Sequence, residues 1–558
     1  MKKEWWQKAV IYQVYPRSFQ DSDGDGVGDL AGIIKRLPYI KKLGADVIWL
    51  NPVYKSPDKD NGYDISDYRA IQPRFGNLKI FDELLAKAHQ LGLRLVMDLV
   101  VNHTSDQHKW FKESKKSKDN PYRDFYVWRA GDPKQAPNNW GGSYFGGSTW
   151  EFDEKTKEYY LHLFAKEQPD LNWENPEVRE QVWELMRFWL DKGVDGFRMD
   201  VINLISKPAG LPDAPNPENA AYGNVEPVVA DGPKLNAYLK EMNQKVLSKY
   251  DVMSVGEMPS VKPEDAVQYT GLDAGELNMV FQFDHVTLAM NKDPRIGKWN
   301  DAPVKLVALK QALSKWQTAL DGKGWNSLYW NNHDRARAVS RFGNDSPEFR
   351  ELSAKMLGGL TLHMMQGTPY VYQGEELGMT NAHFTSIKQY QDIESLEAYH
   401  DLVDTEKLVD HETMMRYLAT ESRDNARTPM QWDNSQNSGF TSGKPWLELN
   451  QNYSEINVER ELEDKNSVFY FYQKLIALRH QSDLIVYGNY TELDPADAEV
   501  FAYKRQYEGK TLLVISNFTS HKVTRSYATP SAKKLLLSNY QDDHEDVLRP
   551  YEAKAYVY

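Results

Sequence analysis

A small set of side chains in this 558-residue chain could act together on one bond: Asp98, His103, Arg198, Asp200, Glu257, His333 and Asp334. Each ends or follows a short apolar run, and any one alone reads as a helix cap or a surface pair. Their joint placement carries the information. Paired carboxyls suit cleavage of a glycosidic bond, where one attacks or stabilises an oxocarbenium-like centre and a protonated one donates to the departing oxygen. Arg198 stands two residues before Asp200, so strand alternation puts both on one face. A guanidinium there would hold Asp200 ionised and aimed, as a nucleophile needs. Glu257 has no basic neighbour within several residues along the chain, which suits a carboxyl that stays protonated.

The elements that would position these groups are eight β-rich runs: VIYQVYP (10–16), DVIWLNP (46–52), RLVMDLVVNH (94–103), VDGFRMDVI (194–202), VMSVGEM (252–258), LNMVFQFDH (277–285), SLYWNNHD (327–334) and TPYVYQGEE (368–376). Several are continuously apolar and end in polar residues, as buried parallel strands do. The segments between them read as helices. In 176–192, Val178, Val182, Leu185, Met186 and Trp189 fall at helical spacing, with Asn175 as cap, Pro176 in the first turn and Gly193 as stop. Eight strand–helix repeats predict an α/β fold, a (β/α)8 TIM barrel with functional residues at the C-terminal strand ends. A doubly wound sheet is the alternative that alternation alone does not exclude.

Two intervals are too long for simple connections. Residues 104–173, rich in Gly, Asn, Trp and Tyr, read as a small inserted domain after the third strand. Residues 377–455 read as a helical, polar excursion after the eighth. The expected organisation is barrel over 1–103, inserted domain over 104–173 and barrel again over 174–481. A helix near 467–481 precedes a C-terminal antiparallel β-sandwich over 482–558, built from runs such as LIVYGNY, EVFAYKR, TLLVISNF and AKAYVY.

Composition narrows the class. Hydrophobic residues at 41% and charged residues at 26% are ordinary for a globular chain and exclude a disordered one. A net charge of −13 argues against a nucleic-acid or anionic-membrane surface. With no cysteine, disulfides, thiolate metal sites and cysteine nucleophiles are excluded. MKKEWWQKAV lacks the apolar stretch of a signal peptide, and no run of about 18 apolar residues offers a membrane span. A cytoplasmic protein, monomeric or weakly self-associating, is expected. The 16 Trp and 33 Tyr suit flat sugar faces and suit a large core equally well.

DLVVNH (98–103), GFRMDVIN (196–203), GEM (256–258) and NNHD (331–334) resemble, in order and spacing, the conserved regions of the α-amylase-type glycoside hydrolases, family 13. The resemblance covers essentially the whole chain. QPDLNW (168–173) is similar to the signature of the oligo-1,6-glucosidase group, and YPRSF, DNGYDISDY, ARTPMQWD and VYQGEELGMTN point the same way.

The resemblance implies a retaining mechanism on a small oligosaccharide, with no organic cofactor. Asp200 would be the nucleophile, Glu257 the general acid and base, and Asp334 the third carboxylate on the sugar hydroxyls. His103, Arg198 and His333 would hydrogen-bond the sugar, Tyr63 would stack on it, and Phe145, Phe164 and Gln168 would line the pocket. Asp60, paired with Arg427, would hold the non-reducing-end 4-hydroxyl and close the pocket, so that one glucose leaves at a time. Val201 looks like the version associated with α-1,6 linkages, where α-1,4 enzymes usually carry Ala. One β-branched side chain there can shift discrimination by roughly 1–3 kcal/mol. Its plain alternative is a core valine.

One departure stands out: NHDQPR, usual in the family, is here NHD followed by Arg335, Ala336 and Arg337. That puts an extra cation beside the acceptor side, unless the loop is simply tolerant. DSDGDGVGDL (21–30) spaces Asp21, Asp23, Asp25, the Val27 carbonyl and Asp29 like the start of an EF-hand loop, although Gly32 stands where the bidentate Glu would be. The similar loop of the group binds calcium, so a structural Ca2+ is expected, against an ion-free Asp/Gly turn. The rival activities are α-1,4-glucosidase and trehalose-6-phosphate hydrolase. A sucrose isomerase lacks support, because 292–326 shows no Arg- and Asp-rich loop. A catalytically dead binding subunit is the remote alternative, disfavoured by the three intact carboxylates.

Overall fold

The computed structural model describes residues 3–141, 145–216 and 220–558. Eight strands form its centre: β1 (Ile11–Val14), β2 (Val47–Leu50), β3 (Arg94–Leu99), β4 (Gly196–Met199), β5 (Met253–Glu257), β6 (Met279–Phe281), β7 (Ser327–Leu328) and β8 (Thr368–Tyr372). All pair in parallel, in the order 6-5-4-3-2-1-8-7. A bridge from Val280 to Asn326 joins β6 to the residue before β7, so the sheet closes on itself. The doubly wound alternative is thereby excluded.

The continuous apolar runs have a simple cause. Ile11, Val47, Trp49, Val96, Met253, Val255, Met279, Phe281 and Tyr370 fill the barrel interior as one buried cluster. Their alternates Tyr12, Ile48, Leu50, Leu95, Met97 and Phe197 join the separate cluster under the helices. Both faces of each strand are buried, so the period of two expected of a half-solvated strand is lost. The helix Pro176–Asp191 is one of the outer ring. The Asn175 side chain accepts from the Glu177 amide, and Val178, Val182, Leu185, Met186 and Trp189 are buried. Gly193 takes φ 105°, a left-handed turn that costs glycine little.

Register sets the height of the functional residues. Arg198 of β4 lies opposite Asp98 of β3, and Met199 lies opposite Gly256 of β5. Asp200 and Glu257 therefore follow at the same level on adjacent strands.

After β3 the chain makes an antiparallel sheet of Trp128–Ala130, Glu158–Leu161 and Trp150–Asp153. The sequence did not announce a second excursion, after β4, in which Gly223–Asn224 pairs in parallel with Trp140–Gly141. A two-residue pairing leaves no periodic trace to read. After β8, helices Ile393–Tyr399, His411–Glu421 and Asp424–Arg427 surround a satellite core of Trp299, Phe384, Tyr390, Leu402, Met414 and Leu418. The helix Val468–Gln481 leads to an antiparallel sheet ordered Asn489–Leu493, Val500–Tyr507, Lys510–Asn517, Ala553–Val557, Lys534–Ser538, beside the pair Val523–Thr524 and Val547–Leu548. The run LIVYGNY is not one strand. Ser482 caps a short helix, Asp483–Tyr487, and the strand begins at Asn489.

Candidate active site

Arg198 is the hub of the strand ends. It is fully buried, and its guanidinium meets Asp98 at 2.5 Å, Asp200 at 2.7 Å and Glu257 at 2.6 Å. This corrects the inference drawn from the neighbours of Glu257 along the chain: its basic partner comes from the adjacent strand. One cation is thus shared among three carboxylates. Burial raises the Asp200 carboxyl well above the usual range, Arg198 opposes this, and Glu257 and Asp98 add to the rise. Burial likewise lifts Asp98 to about 6 against Arg198 and the Trp49 indole N–H.

The second oxygen of Glu257 accepts the backbone N–H of Val201 at 3.2 Å. Val201 pays with a left-handed backbone, φ 35° and ψ 42°, a genuine outlier for a β-branched residue. Its side chain joins Trp140, Val127 and Leu204 in the apolar cluster beneath the inserted segment, so the plain core reading holds in part.

On the opposite wall, the Tyr63 ring stacks on His333 with centroids 5.4 Å apart, and its hydroxyl lies 2.7 Å from Nε2. Gln13 donates to His333 Nδ1 at 3.0 Å, which leaves the proton on Nε2, 3.0 Å from Asp334. Burial holds His333 far below its ordinary pKa, so the ring is neutral. Asp334 goes the other way. Burial would raise it, but His333, Arg423 and Arg427 outweigh that and hold it far below the carboxylate range. His103, lowered by burial to about 4, sits 3.2 Å from the Tyr63 carbonyl and 3.3 Å from Gln168 Nε2. Gln168 also donates to Asp60 at 3.1 Å. Phe164 packs against His103 at 5.0 Å and Phe145 at 6.0 Å.

The expected Asp60–Arg427 pair is not formed. Asp60 meets Arg423 at 3.2 Å, and Arg423 also lies over the Phe145 ring at 5.5 Å. Arg427 instead reaches Asp334 at 2.7 Å, the His333 carbonyl at 2.9 Å and Asp392 at 3.2 Å. Arg423 and Asp392 were missed. The signal for Arg423 was its position four residues before Arg427, one helical turn away; Asp392 left no comparable sign. Lys207, also missed, is buried with its ammonium 2.6 Å from Asp170 of QPDLNW and 2.8 Å from Asn102. It ties the inserted segment to the end of β3.

Arg335 lies 4.8 Å over the Phe283 ring at the ends of β7 and β6. Arg198, Arg423, Arg427, Lys298 and Arg341 each meet a carboxylate; among the described residues Arg335 meets none. Ala336 is buried.

In the loop that follows β1, carboxylate oxygens of Asp21, Asp23 and Asp29 lie within 4.8 Å of one another. Asp25 is outside that cluster, with one oxygen on the Val27 amide at 2.8 Å and the other 3.8 Å from Arg74. A short turn folds back on itself and sends alternate side chains to different sides, which spacing alone did not reveal.

Residues 13–488 match the family model described as "Alpha amylase, catalytic domain". The chain is 55% identical over its full length to the oligo-1,6-glucosidase of Halalkalibacterium halodurans, covering 99% of that protein. Among solved structures it is similar to the Bacillus licheniformis trehalose-6-phosphate hydrolase (TM-score 0.91, 47% identity, both chains fully covered). It is also similar to the isomaltulose synthase of Erwinia rhapontici (TM-score 0.94, 43% identity, 100% and 99% covered). With Asp200, Glu257 and Asp334 gathered at the strand ends of a closed barrel, the chain belongs to the alpha-amylase family.

Proposed function

We propose that this chain is a retaining α-glucosidase that releases glucose from the non-reducing end of α-1,6-linked glucosides such as isomaltose. The observation that carries the reading is the shared guanidinium of Arg198, which brings Asp200 and Glu257 together from adjacent strands. Two carboxyls held on one guanidinium in a buried site are the pair that a nucleophile and a general acid require. Asp200 attacks the anomeric carbon from one face while Glu257 protonates the leaving oxygen; Glu257 then deprotonates the water that frees the glucose. Asp334, kept ionised, accepts from sugar hydroxyls. Asp60 and Arg423 close the end of the pocket, which supports removal of single glucose units. Val201, buried beside Glu257, supports the α-1,6 preference, and the 55% identity to an oligo-1,6-glucosidase supports it independently. The test is kcat/KM for isomaltose and maltose side by side. A ratio well above about ten for isomaltose is expected, and a preference for maltose would overturn the linkage while sparing the mechanism.

A second reading rests on Arg335, whose guanidinium meets no carboxylate among the described residues. It favours an acceptor carrying an anionic group, and trehalose 6-phosphate is the assay that decides. A structural Ca2+ accompanies either reading. Asp21, Asp23 and Asp29 offer the hard oxygen donors it takes. Burial raises the Asp29 carboxyl and the charge of Asp23 adds to it, a repulsion that a cation would relieve.

A further inference from the structure

We propose that Asp392 is a positioning residue for the glucose pocket, a fully buried anion behind the sugar-facing carboxylates that holds Arg423 and Arg427 in place against their mutual repulsion. This rests on the function proposed above, since it concerns the same pocket.

Asp392 is completely buried. Its Oδ1 accepts from Arg423 Nε at 2.9 Å and Nη2 at 2.6 Å, and from Arg427 Nη1 at 3.2 Å. Those two guanidiniums are the groups that reach Asp60 and Asp334, the carboxylates placed on the sugar. The two arginines stand one helical turn apart and each disfavours the other's charge. Both also share Asp334 Oδ1, Arg423 at 3.3 Å and Arg427 at 2.7 Å, and Arg423 meets Glu394 at 3.4 Å; without Asp392 both guanidiniums would lean harder on Asp334, and the sugar would compete with them for that oxygen. Asp392 supplies an anion from outside the pocket, so the carboxylates keep lone pairs for hydroxyls.

The backbone around Asp392 is latched in return. Asp424, which follows Arg423, accepts the amides of Gln391 at 2.7 Å and Asp392 at 3.0 Å. Residues 391–392 and 423–427 therefore hold one another through two carboxylates pointing in opposite directions. The other oxygen of Asp392 does separate work: it caps the helix Ile393–Tyr399 by accepting from the Ser395 amide and hydroxyl, each at 3.2 Å. This division allows the two roles to be tested apart. Asparagine caps helices about as well as aspartate, so Asp392→Asn keeps the cap and removes the charge. Ser395→Ala removes part of the cap and leaves the charge.

The experiment compares kcat/KM for isomaltose, glucose binding by calorimetry and thermal unfolding in the wild type, D392N, S395A, R423K and D392N/R423K. D392N should lower kcat/KM by ~10²-fold, the size expected when supporting groups shift by about 1 Å, and should weaken glucose binding. S395A should keep kcat/KM within about twofold while lowering Tm, because it removes a hydroxyl from the cap and from Ser422 at 2.8 Å but leaves the charge of Asp392 on both arginines. D392N and R423K should be non-additive, since they act through one contact. D392N with wild-type turnover and glucose affinity, or losses that simply multiply, would overturn the proposal. If D392N does not fold, R423K, R427K and their double variant carry the test, and independent losses overturn it. A wild type that neither binds nor cleaves glucosides overturns the function proposed above; a wild type that does both, with D392N its equal, overturns only this inference.

Discussion

The Val201 amide donates to Glu257 at 3.2 Å, and Val201 must adopt a left-handed backbone to do so. The residue after Asp200 thus also orients Glu257. If the proposed α-1,6 preference rests on that residue's branched side chain, Val201→Ala should lower the isomaltose-to-maltose ratio of kcat/KM by about 10-fold. Parallel assays on the two disaccharides check this; an unchanged ratio would return Val201 to a purely core role.

Glu257→Gln should reduce turnover of isomaltose by ~10²–10⁴-fold, because the departing sugar oxygen needs a proton. α-Glucosyl fluoride, whose leaving group needs none, should be much less affected. Asp200→Asn should abolish both. Mass spectrometry of the wild type after a slow fluorinated substrate should reveal one added glucosyl unit on the peptide holding Asp200, and its absence would sink the covalent route.

Glu375, which follows β8, is buried and accepts from the Tyr472 hydroxyl at 2.9 Å. Burial lifts its carboxyl from 4.5 to about 8. A raised acid pKa means the folded state binds more protons than the unfolded one between those values. Stability from this group is therefore fully present at low pH and is lost as pH rises from about 4.5 to 8, by up to ~1.4 kcal/mol per pH unit. Glu375→Gln should flatten the fall of Tm across that window; an unaltered slope would place the effect elsewhere.

Calcium at about a hundredfold excess over its Kd should raise Tm by about 2 °C, and chelation should reverse this. Asp23→Asn should remove the response, whereas Asp25→Asn should not, since Asp25 faces Arg74. Equal loss in both variants would favour a ligand set that includes Asp25.

Arg335→Gln should leave hydrolysis of α-glucosyl fluoride unchanged and alter only substrates with an acceptor sugar. Should trehalose 6-phosphate be cleaved by the wild type, this variant should lose that activity first, through a weaker KM, because a guanidinium stacked on Phe283 meets no carboxylate among the described residues.

Much of the barrel and the gathering of Asp200, Glu257 and Asp334 at its strand ends were legible along the chain, because both rest on local order. A strand buried on both faces must be continuously apolar, and the polar residue that ends it must face the bowl. The helix Pro176–Asp191 was readable for the same reason, its cap, periodicity and glycine stop being neighbours in sequence. The partners of these groups were not readable. Arg423 rather than Arg427 meets Asp60 across 363 residues, and Arg198 reaches Glu257 from the next strand. Those choices depend on where long side chains converge once the strands are in register. Asp25 turning away from Asp21 and Asp23, and Val201 taking positive φ, likewise depend on what packs around the turn. Local composition determined which groups are present and at which strand ends; only the closed barrel and its excursions decided which charges share a partner, since ion pairing follows distance through space rather than along the chain.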